Sequence, residues 1–495
     1  MNDIELSQAQ RDLLRDRLSK YCAETFDLEL EQFDAEFFVD FIAKELGPLF
    51  YNAGIEEAIR THQAWSERIQ EEMDLKRSIN TAYRRRRSIK PCIHHVYNGD
   101  SFSISRVRGR KTMSLITDLP AIFDQFSEAR QKGFLTVMDL KEQNVPLVGT
   151  YCTFMPQEIA MAAGAVVVSL CSTSDETIEE AEKDLPRNLC PLIKSSYGFG
   201  KTDKCPHFYF SDLVVGETTC DGKKKMYEYM AEFKAVHVMQ LPNSASDAAS
   251  RALWKTEILR LQQVIEARFG TPISEAALRE AIVLKNRERR ALAHFYRLGQ
   301  LNPPALSGGD ILKVVYGATF RFDKTALIDE LHAMAERIHQ EWQQGKRLEP
   351  RPRILITGCP IGGAAEKVVR AIEENGGWVV GYENCTGAKA TERCVAEEGD
   401  VYDALTDKYL AIGCSCISPN DQRLQLLSQM VEEYQADGVI DVILQACHTY
   451  AVESLAIKRH LRQQHDLPYM AIETDYSTAD LGQLSTRVAA FIEML

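Results

Sequence analysis

Apolar, β-branched runs that end in cysteine recur along this chain in two series, and they constrain any fold it can adopt. The first series runs VPLVGTYC (Cys152), AVVVSLC (Cys171), NLCPLIKSSYGF (Cys190) and SDLVVGETTCDGKKK (Cys220). The second runs RILITGCP (Cys359), WVVGYENC (Cys385), IGCSCISPNDQR (Cys414 and Cys416) and GVIDVILQACHTY (Cys447). Cys190 and Cys220 lie 30 residues apart, and Cys416 and Cys447 lie 31 apart. Short runs of this kind read as buried strands of a parallel sheet. An α/β sheet presents its ligands beyond the carboxyl ends of its strands. Two such sheets facing one another would aim six or more thiols into one cleft, which is the pattern of a metallocluster site.

At 495 residues the chain has room for two or three domains. Residues 1–78 read as an all-helical domain: LSQAQRDLLRDRLSKYCAETF carries apolar residues at helical spacing, with Ser7 placed to cap it. A basic linker and helical lead-in follows over 79–140. Between Arg84 and Lys111 it holds nine Lys/Arg against one acid, Asp100, and reads as a solvated segment with His94 and His95 as loop residues. The texture then becomes α/β, with VPLVGT, AVVVSL and HFYFSDLVVG as strands of a first lobe over 141–345. Two long helical patterns within about 243–301 predict a helical insertion, a cap or lid. RILITG, GWVVGY, YLAIG, DGVIDVILQA and LPYMAIET predict a second lobe over 350–495. The expected architecture is therefore two similar Rossmann-like (flavodoxin-like) parallel-sheet lobes with a helical insertion, plus the N-terminal helical domain.

The net charge of −13 argues against nucleic acid as a partner. No apolar run approaches the length of a membrane span, and the amphipathic N-terminus lacks a signal-peptide core, so a cytoplasmic location is expected. Thiols stay reduced there, and 13 cysteines are more consistent with metal or catalysis than with a disulfide framework. Cys22, Cys92, Cys171 and Cys394 read as buried small hydrophobes. Cys205 precedes a strand and reads as structural.

Neither series has the paired spacing of a zinc ribbon or a ferredoxin, so the ligands must be gathered from several strand ends and helix starts. The motifs YCTFMPQEIAMAAGAVVVSLC, LCPLIKSSYGFG, KCPHFYFSDLVVGETTCDGKKKMYE, GCPIGGAAEKV, ENCTGAKA, CSCISPNDQR and DGVIDVILQACHTYAVES resemble those of the 2-hydroxyacyl-CoA dehydratase superfamily. Within it they are most similar to the double-cubane cluster branch, from Lys141 to Leu495. Residues 5–75 resemble a short bacterial domain family of unknown function. The resemblance implies that Cys152, Cys190 and Cys447 hold one 4Fe–4S cubane. It further implies that Cys220, Cys385 and Cys416 hold a second, joined to the first through a sulfide. Cys414 competes with Cys416 for its place, and Cys359 is in reserve. Glu383 and His448 stand beside two of these cysteines as candidate proton or hydrogen-bond donors. Lys194 and Tyr197 are candidates for the cleft wall, and Asp221 for a helix cap.

The chain carries no complete phosphate-binding loop; in SSYGFGKT, Ser195 stands where the first glycine belongs. The resemblance accordingly implies a separate ATP-dependent iron–sulfur activator as electron donor, a small-molecule substrate and a homodimer. It leaves two other readings open. One is a 2-hydroxyacyl-CoA dehydratase subunit with a single 4Fe–4S cluster and radical dehydration chemistry; the other is a non-catalytic cluster- or zinc-binding protein.

Overall fold

The computed structural model describes residues 8–26, 39, 119–360 and 362–495. The chain divides into two compact units, Met1–Val107 and Arg108–Leu495. In the first, the helix Gln8–Phe26 falls where helical spacing predicts one, and Cys22 on it is buried. Ser7, Cys92, His94, His95 and the basic run from Arg84 lie outside the described residues.

The second unit winds two four-stranded parallel sheets. Strands β1 (Leu147–Thr150), β2 (Val166–Ser169), β3 (Leu213–Glu217) and β4 (Val236–Met239) are ordered β2-β1-β3-β4. Strands β5 (Arg353–Gly358), β6 (Trp378–Tyr382), β7 (Gly438–Leu444) and β8 (Tyr469–Thr474) are ordered β6-β5-β7-β8. The two orders are the same, so the duplication expected from the cysteine punctuation is present in the topology. Every residue of β1, β3, β5 and β7 is buried, as the central strands of a parallel sheet covered on both faces must be. Each winding reverses at its first strand, which leaves a crevice beyond the carboxyl ends of the central strands.

Two local expectations are corrected. HFYF is not the start of a strand but the short helix Pro206–Phe210, because Pro206 sits at its first position and the Cys205 sulfur accepts the Phe208 N–H at 3.4 Å. YLAIG is not a strand either. Its Tyr409 and Leu410 close the helix Val401–Leu410, which Asp400 caps by accepting the Asp403 N–H at 2.8 Å. Strand β4 goes beyond the sequence expectation, since His237 interrupts its apolar run and only alternate residues are buried.

The insertion is a helical pair. Ala248–Phe269 is capped by Asp247 and ends at Gly270 in the left-handed conformation; Glu275–Tyr296 is capped by Ser274. Trp254, Ile258, Leu261 and Ile265 line one face of the first helix at spacings of three and four residues. They share a core with Val148 and Val215 of the first sheet and with Val401, Leu405 and Tyr409 of the second lobe. Arg251 reaches Asp407 at 2.7 Å and Lys255 reaches Asp403 at 2.9 Å across the same contact. The insertion thus fastens one lobe to the other. Among the described residues, no helix is long and apolar enough to cross a membrane.

Gly358, the last residue of β5, has φ of +106°. A Cβ there would run into the Val442 carbonyl and the Asp441 carboxylate of β7. Replacing Gly358 with alanine is expected to cost about 1–3 kcal/mol of stability in urea unfolding. A change within about 0.5 kcal/mol would contradict this account of the strand end.

Candidate metal centre

A cavity of about 670 Å³ lies between the carboxyl edges of the two sheets, and nine cysteines line it. Cys152 and Cys171 follow β1 and β2, and Cys220 follows β3. Cys359, Cys385 and Cys447 follow β5, β6 and β7, the topologically equivalent strands. Cys190, between β2 and β3, matches Cys414 and Cys416, between β6 and β7. All six cysteines named for the two cubanes therefore reach one space, three from each lobe. Cys205 and Cys394 do not line it.

Cys190, Cys220 and Cys447 are the N-cap residues of helices Pro191–Lys201, Asp221–Met230 and His448–His465. Burial raises the Cys220 thiol and the contact with Cys447 raises the Cys190 thiol, while backbone amides of the first turn act to lower all three. Amides and helix dipole together suit a thiolate at that position. The Cys447 thiol is held down at about 6 by the hydrogen bond from Cys190, while the Cys190 thiol is pushed up by the same contact. Cys414 and Cys416 divide in the same way, Cys414 low and Cys416 high. Burial raises Cys152 and Cys385, the latter to about 11, against the pull of Lys223 and Lys389. Burial thus disfavours the thiolate at Cys152 and Cys385, and a metal bound there must displace the proton.

Two buried lysines that sequence reasoning missed supply positive charge. Lys223 lines the cavity, donates to the Tyr151 carbonyl at 3.0 Å and lies 5.9 Å from the Tyr151 ring centre. Lys389, in the short helix Ala388–Thr391, pairs with Glu383 at 3.1 Å and donates to the Tyr450 hydroxyl at 3.3 Å. Each follows a candidate ligand by one helical turn, Cys220 and Cys385 respectively, and that spacing was the available signal. A cluster ligated by thiolates is anionic, so thiols, first-turn amides and buried ammonium groups form a donor set that fits it. Among the described residues, no three His, Cys, Asp or Glu side chains converge closely enough to hold a single metal ion. The thiols instead surround a space wider than one ion.

The remaining candidates separate. His448 is exposed and lines the cavity. Glu383 is buried and does not line it. Its carboxylate accepts the Thr357 hydroxyl at 2.6 Å and pairs with Lys389 and with Arg423 at 3.4 Å. Burial acts to raise the Glu383 carboxyl, but these two cations overcome it and hold the group below its ordinary range. Lys194 is bound to Glu182 and the Arg187 carbonyl, and Tyr197 to Asp184, so both serve the first lobe away from the cavity. Asp221 is not a cap; it occupies the first turn and pairs with Lys224 at 3.2 Å, Cys220 being the cap residue.

Two cysteines that read as core are corrected. Cys394 is exposed, its neighbours in TERCVAEE being too polar to bury it. Cys171 lines the cavity, but its thiol donates to the Tyr151 carbonyl at 2.9 Å, which occupies it. Cys359 and Cys414 line the cavity as well.

A doubly wound, two-lobed α/β protein that gathers thiols from both lobes is the class that fold and site define. Residues 152–495 match the family model described as 2-hydroxyglutaryl-CoA dehydratase, D-component, and the chain belongs to this family of the 2-hydroxyacyl-CoA dehydratase superfamily. Residues 4–76 match a model described as an uncharacterized conserved protein (DUF2164). YjiM of Escherichia coli (strain K12), named as a candidate dehydratase subunit, is 87% identical over 383 residues, 77% of this chain and all of that protein. The (R)-phenyllactyl-CoA dehydratase beta subunit of Clostridium sporogenes is 21% identical over 75% of this chain and 98% of its own length. A component of the benzoyl-CoA reductase of Thauera aromatica is 24% identical over 72% of this chain and 90% of its own.

Glu383→Ala would leave Lys389 and Arg423 buried beside one another without their shared counter-charge. The expected loss is about 3–5 kcal/mol in urea unfolding. A loss below about 1 kcal/mol, the range of a surface pair, would show that Glu383 is not the group that balances them.

Proposed function

We propose that this chain is an iron–sulfur enzyme that carries a double-cubane-type cluster between its lobes and reduces a small molecule with low-potential electrons. The observation that supports this most is the equal contribution of the lobes: Cys152, Cys190 and Cys220 from the first, Cys385, Cys416 and Cys447 from the second, all on one cavity. Such a group, when bound, supplies one-electron transfer at low potential and Lewis-acidic iron. The chain's own residues do the rest. Lys223 and Lys389 offset the negative charge of the thiolates, and Glu383 keeps Lys389 oriented rather than meeting substrate. His448, exposed on the cavity, is the residue that exchanges a proton between solvent and bound substrate at its imidazole nitrogen.

The electron donor in this reading is a separate ATP-dependent iron–sulfur activator protein, and the enzyme is a cytoplasmic homodimer. Relatives bearing dehydratase names favour a second reading, a 2-hydroxyacyl-CoA dehydratase subunit with one 4Fe–4S cluster on Cys152, Cys190 and Cys447. The cysteines beyond those three favour the first.

Anaerobic purification with iron and acid-labile sulfide counts decides between them. About eight irons per chain are expected for two cubanes, falling toward about four in Cys385→Ala. About four in the unmodified protein would support the dehydratase reading, and zinc without sulfide would exclude both. Full iron in Cys385→Ala would show that Cys385 is not a ligand.

A further inference from the structure

The cavity has a second end, built by helices rather than by strand ends. Lys285, Glu288 and Leu292 share one face of the helix Glu275–Tyr296 at spacings of three and four residues, and all three line the cavity; Asn286, Arg287 and Arg289 between them do not. Phe320, just past the helix Gly308–Ala318, and Lys324, the first residue of the helix Lys324–Gln343, complete this end. Glu288 accepts from Lys285 at 2.7 Å through one oxygen and pairs with Lys324 at 2.9 Å through the other. Its side chain is 5% exposed, against 14% for Lys285 and 20% for Lys324, so the lysines keep the accessible surface and the carboxylate does not. An ammonium carries three N–H donors, and among the described residues each of these two spends its donors on Glu288 alone. Two ammonium groups thus share one carboxylate. Of the other charged groups on the cavity, Lys224 pairs with Asp221, and Lys223 stands beside Cys152 and Cys171. One positive charge is therefore left in excess at the helical end. Burial pushes the Lys285 ammonium below its ordinary range; Glu288 opposes that shift, and Lys324 and Arg289 reinforce it.

We propose that Lys285 and Lys324 bind the carboxylate of a small organic acid, with its apolar body against Leu292 and Phe320, and that the substrate of this cavity is an organic anion of that kind. The substrate claim rests on the cluster reading above; the anion site does not. Charge-assisted hydrogen bonds from the unspent N–H donors hold the carboxylate, and the bound anion balances the excess charge. The same donors would accept the phosphate of a larger ester. A cavity of about 670 Å³ that also holds the cluster leaves room for a body of a few carbon atoms, which favours the small acid.

The test titrates the full chain, purified anaerobically, with butyrate in a calorimeter, with butyramide as the neutral counterpart and inorganic phosphate as the competing anion. Lys324→Met and Lys285→Met each remove one charge and leave a neutral pair with Glu288; Lys324→Arg keeps the charge. The Kd for butyrate is expected to rise about ten- to a hundredfold in either Met variant. Binding should be retained in Lys324→Arg, and butyramide should bind more weakly than butyrate and alike in all variants. Urea unfolding checks that each variant folds. Lys324 is the more exposed of the two at a helix start, so Lys324→Met carries the test if Lys285→Met does not fold. Equal butyrate affinity in wild type and Lys324→Met, or no butyrate binding to wild type, would overturn the site. Phosphate bound more tightly than butyrate and lost in Lys324→Met would overturn the assignment to a carboxylate. Iron and sulfide counts on the same preparations keep the failures apart: wild type that lacks both yet binds butyrate through Lys324 would overturn the cluster reading, and the substrate claim with it, while the anion site stands.

Discussion

In a parallel sheet every strand releases the chain at the same edge. The loops after β1, β2 and β3 therefore leave the first lobe on one side, and those after β5, β6 and β7 leave the second lobe at the edge facing it. Each of those six loops carries a cysteine, and all six line the cavity. Cys190, Cys414 and Cys416 arrive from the segments between the second and third strand of each lobe and complete the set. The site is therefore a consequence of the winding, and it requires both lobes. The insertion matters for the same reason: Trp254, Ile258 and Leu261 join a core that includes both β1 and the helix Val401–Leu410, which fixes the distance across the cavity.

Charge is the second constraint. Thiols enclosed in an apolar protein resist ionisation, as burial of Cys152 and Cys385 illustrates. The fold counters this with amides at three helix starts and with Lys223 and Lys389. Lys389 is itself buried and stays charged because Glu383 is beside it; Glu383 is in turn shared with Arg423, which pairs with Glu453. A chain of compensating ions thus runs from the cavity wall outward through the second lobe.

Much of this is legible in the sequence because strand and cysteine coincide: β-branched runs mark seven of the eight strands, and the spacing of the two series matches the duplicated winding. What escapes such a reading has local causes. In HFYF, aromatic residues that favour a strand are overruled by Pro206 and by the sulfur of Cys205. In YLAIG, the capped helix upstream carries through Leu410. The edge strand β4 is half buried and interrupted by His237, so its pattern is weak. Glu383 adjoins Asn384 and Cys385 in sequence, yet the strand ends before it and the chain turns at Cys385, so its carboxylate faces Thr357, Lys389 and Arg423 rather than the cavity. Cys171 reads as core because its neighbours are apolar, although its equivalence to Cys385 marks it as a strand-end residue.

The account depends on both lobes binding one metallocluster. Diffraction from anaerobically grown crystals at the iron absorption edge tests that most directly. The predicted result is anomalous density for two iron clusters within the cavity, bounded by Cys152, Cys190 and Cys220 on one side and Cys385, Cys416 and Cys447 on the other. A single cluster held by Cys152, Cys190 and Cys447, with Cys220, Cys385 and Cys416 left as free thiols, would contradict it.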